Sequence, residues 1–263
     1  MVPIPGGGYK PLYSKESEPR EVEPFFMDVT QVTNAQFLDF VKQHPEWQRS
    51  KVQPTLADKN YLAHWVGDLD LGDSKLADAP VTHVSWFAAQ AYCEAQGKRL
   101  PTQDEWEFVA RADATQLDAS SDQEFLRQLL EWYAKPANSA LEDVHSAPLN
   151  AHGLRGLHGL VWEWVHDFNS TLVVGDSRGD GSLERKLFCG AGSLLASDVS
   201  NYAAFMRYAF RSSLKGTYCV GSLGFRGAKP VHEAPKGPAT ASFATIYDLP
   251  GEWRTENDET ITL

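Results

Sequence analysis

Apolar positions alternate irregularly at the start of the chain. Met1 to Tyr9 reads as a first strand that runs into three glycines, Gly6-Gly7-Gly8. Val22 to Val29, carrying Phe25, Phe26 and Met27, reads as a second strand. The period then changes. Phe37, Phe40 and Val41 recur at helical spacing behind Thr33 and Gln36, a hydroxyl at the N-cap with an amide three residues later. Pro45 ends that helix, because proline supplies no N–H and clashes with the preceding turn. Ser85 caps a second helix, Trp86–Gln96, with Phe87, Ala91 and Tyr92 on its apolar face and Gly97 as its stop. Thr102-Gln103-Asp104-Glu105 opens a third helix, with Trp106, Val109 and Ala110. Ser121-Asp122-Gln123-Glu124 opens a fourth, with Phe125, Leu129, Leu130 and Trp132, and Pro136 closes it.

Two stretches carry little periodicity. Residues 46–80 are irregular and acidic. Asp68, Asp70, Asp73 and Asp78 make calcium conceivable, but their spacing is not that of an EF-hand loop, and a solvated loop is the preferred reading. Residues 137–228 are rich in Gly, Ser and aromatics, which predicts loops, short strands and one short helix near Ala203. Residues 229–242 have the composition of a linker, and 243–263 resume an apolar pattern.

Composition narrows the class. The 263 residues are 42% hydrophobic and 22% charged, with 8 Trp, 9 Tyr and 13 Phe, enough aromatic area for a large core. A formal charge of −11 disfavours a phosphate-backbone partner, so no nucleic acid is expected. No run approaches the roughly 20 apolar residues of a membrane span. Cysteine is sparse: Cys93, inside the second helix, reads as a small core residue, and Cys189 and Cys219 lie far from it. No signal peptide precedes the first strand, and a chain cropped from an exported precursor fits that start.

Four ordered blocks carry a resemblance. They are Ile4-Pro5-Gly6-Gly7; Phe26-Met27-Asp28 with Val32-Thr33-Asn34-Ala35-Gln36-Phe37; Val84-Ser85-Trp86 with Gly97-Lys98-Arg99-Leu100-Pro101-Thr102 and Glu105-Trp106-Glu107; and Val161-Trp162-Glu163-Trp164 with Gly192-Ser193, Arg211-Ser212 and Leu223-Gly224-Phe225-Arg226. The set resembles the sulfatase-modifying-factor, or formylglycine-generating-enzyme, family. That implies an α+β fold: an irregular single domain over 1–228, related to C-type-lectin-like folds, with a loop-rich second half. Within it Arg99 and Arg226 need carboxylate partners, because an unpaired buried charge is costly, and Glu105, Glu107 and Glu163 are the candidates. Trp162 and Trp164 read as core and pocket wall.

The chemistry departs from the family. Its formylglycine generators hold copper(I) through two cysteines between the Gly-Ser and Arg-Ser blocks, and soft thiolates suit that ion. Here residues 192–207 contain no cysteine, and Ala196 and Ala203 fall near the expected positions. Cys189 and Cys219 flank the segment, either as a disulfide, as two free structural thiols, or as displaced copper ligands with Met206. Copper is therefore possible but has no ligand motif. The family's calcium loop also looks lost, with Gly156 and Leu160 where oxygen ligands are expected. His152, His158 and His166 lie nearby and read as solvent or core histidines. The resemblance leaves Ser193 and Trp162 as catalytic candidates, and Tyr202, Arg207, Tyr208, Arg211 and Ser212 as a substrate-binding floor. Arg207 and Arg211, spaced i, i+4, would clamp a carboxylate on a helix.

The run Ala203 to Lys215, and Leu160 before Val161-Trp162, resemble a branch of accessory proteins for copper nitrite reductases. Residues 243–263 resemble the opening strands of a Sco-type thioredoxin-fold domain. The resulting expectation is an accessory or maturation protein for a copper enzyme. It would bind a protein or peptide client in the periplasm or cell envelope, with a Sco-like domain downstream. An oxidase or other modifying enzyme using the same pocket, and a lectin-like recognition module, are the alternatives.

Overall fold

The computed structural model describes residues 1–11, 19–134, 141–168 and 199–231, together with the short strands at 253–254 and 260–261. The chain forms two compact units, Met1–Lys229 and Pro230–Leu263. In the second, two short strands, Trp253–Arg254 and Thr260–Ile261, pair antiparallel.

Each of the two long strands expected near the N-terminus is broken into two. The first becomes β1 (Val2–Ile4) and β2 (Gly7–Tyr9), and the second β3 (Arg20–Val22) and β4 (Phe25–Met27). β1 pairs with β4, from Val2 opposite Met27 to Ile4 opposite Phe25, whereas β2 pairs with β3, from Gly7 opposite Val22 to Tyr9 opposite Arg20. The break has a backbone cause. Pro24 supplies no N–H, and Gly6 has φ +73°, where an added Cβ would lie 2.2 Å from the Val22 carbonyl oxygen.

The first three helices follow their caps. α1 (Asn34–Gln43) starts from the complete Thr33/Gln36 capping box and buries Phe37, Phe40 and Val41. α2 (Trp86–Ala95) starts from Ser85, whose hydroxyl accepts from the Ala88 N–H, and stops before Gly97 at φ +63°. α3 (Gln103–Ala110) starts from the Thr102/Glu105 box. α4 (Gln123–Tyr133) is capped by Asp122 rather than Ser121, its carboxylate accepting from the N–H groups of Glu124 and Phe125. Pro136, its expected terminator, lies outside the described residues. α5 (Val199–Ser212) is much longer than the short helix expected near Ala203. Its inward stripe includes Ala203, Arg207 and Arg211, and two arginines on a buried face conceal the hydrophobic period.

Most of the first unit shares one core, with Trp65, Trp164, Phe37 and Phe225 at most 1% exposed, and Leu126, Leu129 and Ala203 form a second, smaller cluster between α4 and α5. The irregular stretch 46–80 is not a solvated skin throughout: Tyr61, Leu62 and Trp65 are core residues. Its outer aspartates instead cap local turns, Asp70 accepting from Gly72 N–H and Asp73 from Lys75 N–H. Late in the chain, β5 (Trp162–Glu163) runs parallel to β6 (Leu223–Gly224), which brings Glu163 beside the segment leading to Arg226. Among the described residues no helix is long and apolar enough to cross a membrane.

Candidate functional site

Three arginine–glutamate centres lie around α3. Arg99 and Glu105 form a two-pronged pair, with both N–O distances at 2.6 Å, at the start of the helix. Glu163 and Arg226 form a fully buried pair, 0% exposed on each side chain, through two 2.8 Å bonds. The guanidinium spends its other N–H groups on the carbonyls of Asp28, Val29 and Arg155. The carboxylate takes one more bond from Trp106 Nε1 and one from Gln31 Nε2. These two pairs supply the carboxylates that Arg99 and Arg226 require.

The third centre differs. Arg207 and Arg211 do clamp a carboxylate from successive turns of a helix, but it is the protein's own Glu107. Arg207 Nε lies 3.0 Å from both oxygens and Arg207 Nη2 2.7 Å from Oε2, and Arg211 Nη1 lies 2.6 Å from Oε1. Arg207 Nη1 also donates to Tyr133 Oη at 2.9 Å. All three charged groups are buried, so the substrate-binding assignment of the two arginines is corrected to an internal tie between α5 and α3. Burial raises the Glu107 pKa, and the two guanidiniums outweigh it and hold the carboxyl below its ordinary range. Arg211 also lies over the Trp106 ring, 4.5 Å from its centroid.

Trp162 stands beside this centre in a stack of rings. Tyr133 lies on one partner plane at 5.1 Å and 9°, Phe210 on another at 4.7 Å and 26°, and Trp132 tilts against it at 5.1 Å. Each of these four side chains keeps part of its surface exposed. Trp162 thus sits in a ledge built by α4, α5 and β5, packed by its own neighbours. Trp164 is core, donating its indole N–H to the Val84 carbonyl.

The remaining candidates separate. Tyr208 is buried. Ser212 turns its hydroxyl back onto the Ala209 carbonyl at 3.0 Å, inside its own helix. Tyr202 lies in α5, but its side chain is outside the described residues, as are Ser193 and Cys189. His158 packs among Trp106, Phe125 and Trp132 and donates Nε2–H to the Ala110 carbonyl, leaving Nδ1 unbonded. Burial, then Arg207, pull its pKa down to about 4. His152 is pulled down by burial, and His166 lies against Trp86. No group of three metal-binding side chains occurs among the described residues.

The two described cysteines do not fit the copper(I) site that the family implies. Cys93 is 0% exposed in α2, and Cys219 is 2% exposed beyond α5, its backbone N–H held by Asp58. Both carry free thiols, and the Cys219 thiol faces the Thr217 carbonyl; Cys189, the other half of the expected disulfide, lies outside the described residues. Burial raises both thiol pKa values, that of Cys219 to about 12, whereas a metal binds the thiolate.

Sequence reasoning missed Tyr133, Trp132 and Phe210 as the packing around Trp162, and the pairing of Glu107 with α5. A count would have signalled the latter: four arginines in or beside the family blocks compete for three glutamates.

Residues 1–231 match the family model described as the sulfatase-modifying factor enzyme 1-like domain. The chain is 30% identical over 266 residues to the formylglycine-generating enzyme of Streptomyces coelicolor, covering 85% of this chain and 82% of that protein. It is 31% identical over 208 residues to the inactive C-alpha-formylglycine-generating enzyme 2 of Mus musculus, covering 63% and 68%. A crystal structure of CarF matches with a TM-score of 0.49 and 18% identity, over 88% of this chain and 98% of that one.

Proposed function

We propose that this chain, which belongs to the sulfatase-modifying factor enzyme 1-like family, binds a protein client without generating formylglycine. One observation carries the reading: residues 192–207 lack cysteine, and two of the chain's three cysteines are core thiols with raised pKa values. Copper(I) bound by two thiolates would need at least one of them to leave the core. A relative named as an inactive formylglycine-generating enzyme supports a family member that keeps the fold without the reaction.

The finer reading is an accessory role in maturing a copper enzyme of the nitrite-reductase type in the cell envelope, with a Sco-like domain after the linker. Its support is the resemblance of residues 203–215 and 243–263 to those proteins. The partly exposed ledge of Trp132, Tyr133, Trp162 and Phe210 is the surface the client would meet, since aromatic side chains supply large contact area at low entropic cost.

The test is mass spectrometry of a cysteine-containing sulfatase peptide incubated with the reduced protein, copper(I) and oxygen. The expected result is an unchanged peptide. Conversion of the cysteine to formylglycine would overturn the reading.

A further inference from the structure

The loop between Arg155 and Glu163 is where the family resemblance implies calcium, and its donors can be examined directly. Gln31, 1% exposed and lying between β4 and α1, reaches into this loop. Its amide nitrogen lies 2.6 Å from the Gly156 carbonyl oxygen and 2.7 Å from Glu163 Oε1. Those distances are close to the roughly 2.3–2.6 Å of a calcium–oxygen bond. The nitrogen therefore sits where a hard cation would lie between the two oxygens. The amide orientation is dictated by its surroundings, because a reversed amide would place oxygen against two oxygens. Its Oε1 is left buried and unbonded.

The rest of the loop closes around that arrangement. Gly156 has φ +63°, and a Cβ there would lie 2.7 Å from Leu160 Cδ1 and 3.2 Å from Gln31 Oε1. Leu160 thus fills space on the side where the loop lacks an oxygen ligand. Arg226 already bonds both Glu163 oxygens and the Arg155 carbonyl, so the positive charge the carboxylate needs is present.

We infer that Gln31 takes the place of a cation: its amide ties the Gly156 carbonyl to Glu163, and the fold is indifferent to calcium. Substituting a carboxylate of the same length then turns a donor into an acceptor facing two oxygens, and creates a three-oxygen set that a hard cation accepts.

Thermal melting of the wild-type chain and of Gln31→Glu, each in chelator and in millimolar calcium, tests this. The wild type is expected to melt at the same temperature in both. Gln31→Glu is expected to melt lower in chelator by roughly 5 °C, and calcium should restore most of that loss because it binds only the folded loop. If the variant is unfolded in chelator, folding on calcium addition is the equivalent result. A calcium-dependent shift in the wild type overturns the inference, as does a Gln31→Glu variant that is destabilised or unfolded with no response to calcium.

Discussion

Glu163 and Glu107 are both buried carboxylates beside Trp106, yet they hold the molecule together differently. Glu163 faces one arginine, and the surplus N–H groups of Arg226 end on backbone carbonyls from distant segments. That centre is closed: every charge and donor named has a partner inside the core. Glu107 faces two arginines from one helix, so its centre carries an excess positive charge, with neutral His158 close by. The first centre joins chain segments far apart in sequence into the core. The second ties α5 to α3, and it is the more sensitive to charge.

The largest effect should come from opening the closed centre. Arg226→Met leaves Glu163 buried without a counter-charge, which costs about 3–5 kcal/mol. Chemical denaturation should show that loss across the whole unit. If Arg226→Met instead loses less than Glu107→Gln, the two centres have been ranked wrongly.

Glu107→Gln should cost less globally, on the order of 3 kcal/mol, because α5 can detach and return both guanidiniums to water. Hydrogen exchange is the discriminating measurement. Protection should fall first in α5, with α1 and α2 retained. Uniform loss across the unit would mean that α5 is integral to the core.

Acid sharpens the comparison further. His158 titrates near 4 when folded, lowered chiefly by burial and then by Arg207, against an ordinary 6.5. A group with a depressed folded pKa binds its proton more readily unfolded. The stability its neutral form contributes is therefore complete above about pH 6.5 and lost progressively toward pH 4. His64, lowered to about 4 by burial and by its neighbours His83 and Arg49, adds to the same slope. Melting temperature should fall over that window, and His158→Gln should flatten the fall. An unchanged slope in the variant would remove His158 from the account.

The smallest effect is expected from Tyr133→Phe, which deletes only the hydroxyl accepting from Arg207, worth about 1 kcal/mol. A larger loss would show that the hydroxyl, and not the ring stacked on Trp162, fixes the end of α4.

Much of this was legible because local chemistry declared it. Thr33, Ser85 and Thr102 start helices by satisfying free N–H groups, and a cap is a short-range property. Arg99 and Arg226 announced carboxylate partners by lying among apolar residues. The i, i+4 spacing of Arg207 and Arg211 correctly predicted a clamp, but spacing cannot say whose carboxylate is held, and Glu107 lies 100 residues from Arg207 in sequence. The division of the first two strands depends on the register between Gly6 and Pro24, which neither strand shows alone. The burial of Cys219 could not be read from the sequence, because no local pattern marks it as core.

The chain keeps the family's fold while two of its three thiols are buried in the core. Titration of the reduced protein with copper(I) against a competing chelator tests this most directly, repeated on Cys219→Ser. No tight one-to-one site is expected in either protein. Tight stoichiometric binding that is lost in Cys219→Ser would contradict it, since Cys219 would then have to leave the core to serve as a ligand.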